Sequence, residues 1–343
     1  MHGSSHLLCV IAGSMGLAAL GSGATPADTI NISTWAHGAP LQEAVIATQP
    51  DLLKLIPGEV KWLPISSGPA ALAGMKGGAY NIVNGVGNPP VTTAIANGVN
   101  LKVVWAQFYD SAGIVIDASL AGPADMAGKT FGTLQGSSED FAFNGWLVSK
   151  GIADKVKLVG LERQAMVAAF KTKAIAGGLN SEPGMSEMLA SRGKLMASTR
   201  EIGALGYPAL DVVSVDADFA AQHPDVVQGY VCAQYGAYKL MTGPQREEVF
   251  RKAAAFVGAD PDQAVKVGTS WPIWKPEDEL TERGLGTTGT TGHIAESEVA
   301  KAYLNTGAWL KTQGRLENPP SMETIVAHID TRFAEKALAG GCH

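Results

Sequence analysis

Charge is scarce in this chain, and basic charge scarcer still. Of 343 residues 17% are charged, with 26 Lys and Arg against 32 Asp and Glu and a formal net charge of −6. No cluster of Lys and Arg is dense enough to track a phosphate backbone, which excludes nucleic acid as a partner. Cysteine is nearly absent: Cys9, Cys232 and Cys342 are too few for a disulfide framework or a cysteine metal site. A single bridge between Cys232 and Cys342 stays open as a possibility. No His cluster or HExxH-like spacing is present, so no metal and no cofactor is expected. Past residue 27 no apolar run reaches the roughly 20 residues that cross a bilayer, and no membrane insertion is expected.

Residues 1–27 lack Asp, Glu, Lys and Arg altogether. Leu7 to Leu20 form a short apolar run broken by Gly13 and Gly16, followed by the small residues Gly23-Ala24-Thr25-Pro26-Ala27. This pattern reads as a secretory signal (1–27), although Met1–His6 carries no Lys or Arg where such signals place positive charge. The alternative is a buried N-terminal helix. Leu7-Leu8 before Cys9 rule out a lipoprotein cysteine. The mature chain is expected to begin near Asp28 and to reside in the periplasm.

The whole chain is 46% hydrophobic, enough to build two lobes. Short β-rich runs alternate with helical ones. Strands are predicted at 29–35, 59–65, 80–83 and 101–108, with helices at 41–55, 68–76 and 90–97 between them. A second such unit has strands at 114–116, 130–133, 156–160 and 175–179, with helices at 138–150 and 163–171. This alternation predicts an α/β fold of βαβ-built sheets with flanking helices. After Val212–Val215 the pattern turns helical, with helices predicted at 224–241, 245–257, 295–314 and 321–333. A helical tail of this length must bury its apolar faces and is expected to wrap back over the first unit. The expected organisation is lobe 1 from 28–109 and 216–343 and lobe 2 from 110–215. Two strand-like crossings, near 108–113 and 211–215, would form the hinge.

Four segments in order carry a resemblance that runs from about residue 29 to 335. They are Gly78-Ala79-Tyr80-Asn81-Ile82-Val83-Asn84-Gly85-Val86-Gly87-Asn88-Pro89-Pro90; Gly128-Lys129-Thr130-Phe131-Gly132-Thr133 with Gly136-Ser137-Ser138; Gly206-Tyr207-Pro208-Ala209-Leu210-Asp211-Val212; and the stretch from Asp218 to Val227. Together they resemble the taurine, sulfonate and nitrate branch of the periplasmic binding proteins. The resemblance implies a two-lobed, type II-like periplasmic-binding-protein fold with a ligand cleft at the hinge. It also implies a monomer that delivers a small zwitterionic or anionic solute to the permease subunits of an ABC transporter. Catalysis is not expected. The pyrimidine-precursor synthases share such a fold, but they are cysteine-rich near their site.

The chemistry of an acid group asks for uncompensated backbone N–H groups at helix starts and for neutral hydroxyl or amide donors. Ser66-Ser67-Gly68, Gly87-Asn88-Pro89 and Gly136-Ser137-Ser138 are candidate starts, each equally an ordinary helix cap. The resemblance implies contacts from Asn88 and Ser138 to the acid group. It also places an amine-binding carboxylate at Asp211, an acid inside the apolar run Ala209-Leu210-Asp211-Val212-Val213. Trp35 and His37 stand where the family has smaller polar residues, and Glu139, Asp140 and Glu182 add acids. The pocket is therefore expected to be more acidic than a taurine pocket. Another amine, a quaternary ammonium or an amino-acid-like ligand is the alternative, with Trp35, Trp105 and Tyr109 either facing its methyl groups or packing in the core.

Overall fold

The structure is a computed structural model; residues 29–35, 42–270, 273–289 and 292–342 are described. The expected signal segment and His37 lie outside them. Strands β1 (Thr29–Trp35), β2 (Glu59–Ile65), β3 (Ile82–Gly87) and β4 (Leu101–Tyr109) lie in one sheet. Strands β5 (Ala112–Asp117), β6 (Thr130–Thr133), β7 (Lys157–Gly160), β8 (Gly177–Ser181) and β9 (Gly193–Ser198) form a second. The chain then returns to the first sheet as β10 (Leu210–Asp216). The strand orders are β2-β1-β3-β10-β4 and β7-β6-β8-β5-β9.

The alternation of short strands and helices produces this layering. Every residue of β3 is buried, as expected of a central strand covered on both faces. One face of the first sheet packs against helices Gln42–Thr48, Pro224–Thr242 and Arg246–Val257 around Trp105, Tyr230 and Phe250. Helices Gly68–Lys76, Asn88–Ala96 and Glu298–Thr312 cover the other face around Val86, Val212 and Tyr303. In the second lobe, helix Ser138–Ser149 packs on one face, and helices Arg163–Lys171 and Gly184–Ser191 on the other. Gly229 lets the long helix Pro224–Thr242 lie directly on the chain at Leu55; a Cβ there would strike the Leu55 carbonyl oxygen.

β4 is an outer strand, and the tail covers its open edge. Val103 N–H donates to the His328 carbonyl, Asp330 N–H to the Val103 carbonyl, Trp274 N–H to the Gln107 carbonyl, and Ala106 N–H to the Glu279 carboxylate at 2.6 Å. Unpaired edge groups are thereby satisfied by the chain itself. The tail thus lies along the open edge of the first sheet.

The second crossing differs from expectation. A boundary after Val215 places β10 in lobe 2, whereas β10 lies antiparallel between β3 and β4 in the first sheet. An apolar run shows that a strand is central but not which sheet it completes. The chain crosses outward at Asp110–Ser111 and returns through 204–209. The two crossings are tied together: Asp110 N–H donates to the Ala209 carbonyl at 3.0 Å. Thr199 Oγ1 donates to the Ala112 carbonyl at 3.1 Å and also contacts the Asp110 carbonyl.

Cys232 and Cys342 form a disulfide across 110 residues, fastening the chain's last turn to helix Pro224–Thr242. Closing so long a loop removes unfolded-chain entropy, for a stabilisation of about 2–5 kcal/mol. Thermal denaturation with and without reductant should show a clear fall in Tm on reduction, matched by Cys342→Ser.

Beneath β1 and β3 lies a buried polar network. Tyr230 donates to Asn84 Oδ1 at 2.6 Å, Gln234 Nε2 to Tyr230 at 3.0 Å, and Gln107 Nε2 to Gln234 at 3.2 Å. Glu43 is buried nearby with one carboxylate oxygen unpartnered among the described residues, and burial pushes its carboxyl up to about 7. The folded state thus holds this proton while the unfolded chain releases it at lower pH. Stability is lost as pH rises from about 4.5 through 7, by about 3 kcal/mol. Denaturant titrations across that range should show Glu43→Gln without this loss and more stable than the parent at pH 8.

Candidate functional site

Strands β1 to β4 run parallel, so Trp35, Ile65, Gly87 and Tyr109 end on one edge of the first sheet, where antiparallel β10 begins with Leu210-Asp211. In the second sheet β6, β7 and β8 end at Thr133, Gly160 and Ser181, level with the start of β5. Ligands of open α/β sheets sit beyond such carboxyl ends. The two edges meet at the crossings, where five polar side chains converge from both lobes.

Asp211, at the start of β10, is 5% exposed and pairs across the sheet with Gly87 and Phe108. Asp110, on the outward crossing, accepts from Ser138 Oγ at 2.5 Å. Ser138 opens helix Ser138–Ser149, and Glu139 follows it, fully buried and paired to Arg163 Nη2 at 2.9 Å. The Arg163 side chain, at the start of the helix after β7, is 44% exposed. Burial pushes the Asp211 carboxyl well above its ordinary range, and the charge and hydrogen bond of Asp110 push it further, with Glu139 adding and Arg163 opposing. Burial likewise raises Glu139, opposed by Arg163 and reinforced by Asp110. Three carboxyls face one guanidinium, so the seam is short of positive charge. A cation entering it gains both a counter-ion and hydrogen bonds.

Of the residues expected from sequence, the structure brings Ser138, Glu139 and Asp211 together and sets Asn88 beside them. The rest do other work. Asn88 is buried with its amide engaged, Nδ2 donating to Thr306 at 2.7 Å and Oδ1 accepting from Leu210 N–H at 3.4 Å. Pro89 and Pro90 remove two of the N–H groups that a helix start would offer an anion. Ser67 and Ser137 are N-caps, accepting from Ala70 and Asp140 N–H, and Gly68 packs under Val86 and Pro90. Trp35 donates its indole N–H to the carbonyls of Asn84 and Gly85. Glu182 turns to Ser186, accepting from its hydroxyl at 2.8 Å. Trp105 is core, and Tyr109 stacks on Trp274 at 4.5 Å and donates to Glu298.

Asp110 and Arg163 were missed. Asp110 carries a local signal, a lone acid closing the apolar strand Leu101–Tyr109. Arg163 reads in sequence only as the first residue of a helix. A second inter-lobe contact also joins the tail to the helix that bears the site. Arg315 pairs with Asp140 at 3.2 Å, Trp309 meets the Phe141 ring edge to face at 5.5 Å, and Asn305 Nδ2 donates to the Gly206 carbonyl at 3.1 Å.

The chain is thus a two-lobed α/β body with a polar seam where the carboxyl edges of its two sheets meet. The chain belongs to the NMT1-like family, whose model matches residues 41–258. It is 25% identical over 328 residues to the taurine-binding periplasmic protein of Escherichia coli K12, covering 93% of this chain and 97% of that one. The fold matches the periplasmic aliphatic sulphonate binding protein of Escherichia coli with a TM-score of 0.72 at 15% identity, over 87% of this chain and 96% of the other. It also matches the alkanesulfonate-binding protein of Xanthomonas axonopodis pv. citri bound to MOPS, with a TM-score of 0.68 at 17% identity, over 90% and 100%.

Gly87 lies at a close approach within the seam. A Cβ there would lie 2.9 Å from Ser138 Oγ and 3.3 Å from Asp211 Oδ1. The backbone at Gly87 has φ −71°, which any residue adopts, so Gly87→Ala should fold normally yet hold the lobes apart. Small-angle scattering should find the variant less compact than the parent under saturating ligand.

Proposed function

We propose that the protein is an extracytoplasmic solute-binding protein that delivers a small amine-bearing solute, of the taurine-like aminosulfonate class, to the permease subunits of an ABC importer. It acts as a monomer and performs no catalysis. The observation that carries this reading is the carboxyl pair Asp110–Asp211, buried between the lobes with Glu139 beside it. Such a pair is costly without a cation and favourable with one. The half-exposed guanidinium of Arg163 supplies the complementary charge for the solute's acid group. A relative 25% identical to the chain is a taurine-binding periplasmic protein by name, and two solved structures of the same fold are named as sulfonate-binding. The Cys232–Cys342 bridge fits an oxidising compartment. Among the described residues no helix is long and apolar enough to cross a membrane.

The excess of carboxyls over guanidinium favours a second reading within the same class, in which the solute is an amine or quaternary ammonium without a strong acid group. Calorimetry separates the two. Asp211→Asn keeps the shape and removes the counter-charge, so taurine affinity should fall by about 2–5 kcal/mol, roughly 30-fold to several thousand-fold. Ethanesulfonate, which lacks the amine, should bind the parent weakly and lose little more in the variant. That double cycle isolates the amine–carboxylate interaction. Taurine binding equal in parent and variant would place the cation elsewhere.

A further inference from the structure

Helix Glu298–Thr312 carries two buried polar atoms that are unused among the described residues, Trp309 Nε1 beside the Phe141 ring and the hydroxyl of Tyr303. Tyr303 is fully buried, and among the described residues its hydroxyl has no hydrogen-bond partner. One turn further on, Thr306 is locked in place by Asn88 Nδ2 at 2.7 Å, and the other end of that amide accepts from the N–H of Leu210. The helix is thereby pinned to the residue before Asp211, with Tyr303 on the pinned side. Burial, with the Asp211 charge adding to it, raises the Tyr303 phenol well above its ordinary pKa and keeps it neutral. No hydrogen bond joins the two, so the Tyr303 hydroxyl keeps its acceptor capacity unused.

A buried hydroxyl without a partner costs the full desolvation penalty, and phenylalanine would avoid it. A protonated primary amine has three N–H donors to satisfy. Asp110 and Asp211 provide carboxyl acceptors, and the Tyr303 hydroxyl provides a third. We infer that Tyr303 is a specificity-determining residue whose hydroxyl oxygen accepts a hydrogen bond from the ligand's primary ammonium, so that the site prefers primary amines to their N-trimethylated forms. This inference rests on the reading that an amine sits at Asp211.

The test uses the whole protein with taurine, β-alanine and ethanolamine, their N-trimethylated forms, and ethanesulfonate as the amine-free control. Parent, Tyr303→Phe and Asp211→Asn are compared by calorimetry and by thermal denaturation without ligand. Tyr303→Phe should weaken the bound primary amine about ten-fold, the scale of one hydrogen bond in a closed site. It should leave the trimethylated forms and ethanesulfonate unchanged and leave the ligand-free Tm unchanged or higher. Unaltered amine binding by Tyr303→Phe, together with weakened binding by Asp211→Asn, overturns the role of Tyr303 and keeps the amine reading. Equal losses for amines and ethanesulfonate overturn it too, since the ring would then act as a wall. Unaltered binding by both variants, or a parent that binds none of the probes, overturns both readings.

Discussion

Two carboxyl groups, Asp110 and Asp211, meet in a seam from which water is largely removed, and much of the molecule is arranged around that contact. Asp110 lies on the link leaving the first lobe and Asp211 on the strand that re-enters it. The same pair of links is cross-tied by Asp110 N–H on the Ala209 carbonyl. Ser138 brings the second lobe onto Asp110, and Glu139 brings Arg163 with it. The electrostatics of the seam and the geometry of the hinge are therefore one feature. In the proposed reading, a cation that neutralises the carboxyls would also draw the two edges together, and a differential contact would become a shift toward a closed form.

The tail makes this arrangement more than a pair of lobes on a flexible link. Its helices seal the edge of β4, the disulfide fastens its end to helix Pro224–Thr242, and Arg315 and Trp309 reach across to Asp140 and Phe141. Asp140 also accepts the Gly136 N–H at 2.8 Å, so the tail steadies the turn from which Ser138 and Glu139 project. A segment distant in sequence thus fixes side chains that the seam uses.

Much of the fold was legible because local patterns suffice for it. Strands 29–35, 59–65 and 130–133 and the helices 68–76 and 163–171 appear with the expected bounds. Pro50 divides the helix expected at 41–55, and the helix expected at 321–333 is interrupted before Asp330. The helix Gly184–Ser191 and β9 were not anticipated, since 184–198 has neither a clean period nor a clear cap. At the site, Asp211 stood out as an acid in an apolar run, and Ser138 and Glu139 as a helix start. Ser67 and Ser137 matched the same pattern and are caps, because a cap and an anion donor use the same residues. Arg163 and Tyr303 gain meaning only from neighbours 24 and 92 positions away, Glu139 and Asp211, and no local pattern carries that.

The position of β10 has a consequence for how the chain assembles. β3 and β4 do not pair with each other; the strand that joins them is made only after the whole second lobe. The second lobe is one unbroken stretch with all its strands in hand, so it can close on itself early. The first lobe must keep a gap at its centre until residues 210–216 arrive. Its folding is bound to long-range pairing and the slower kinetics that follow. The lobe that begins first in the chain thus cannot be completed before residues 210–216 are in place, and that strand brings Asp211 with it.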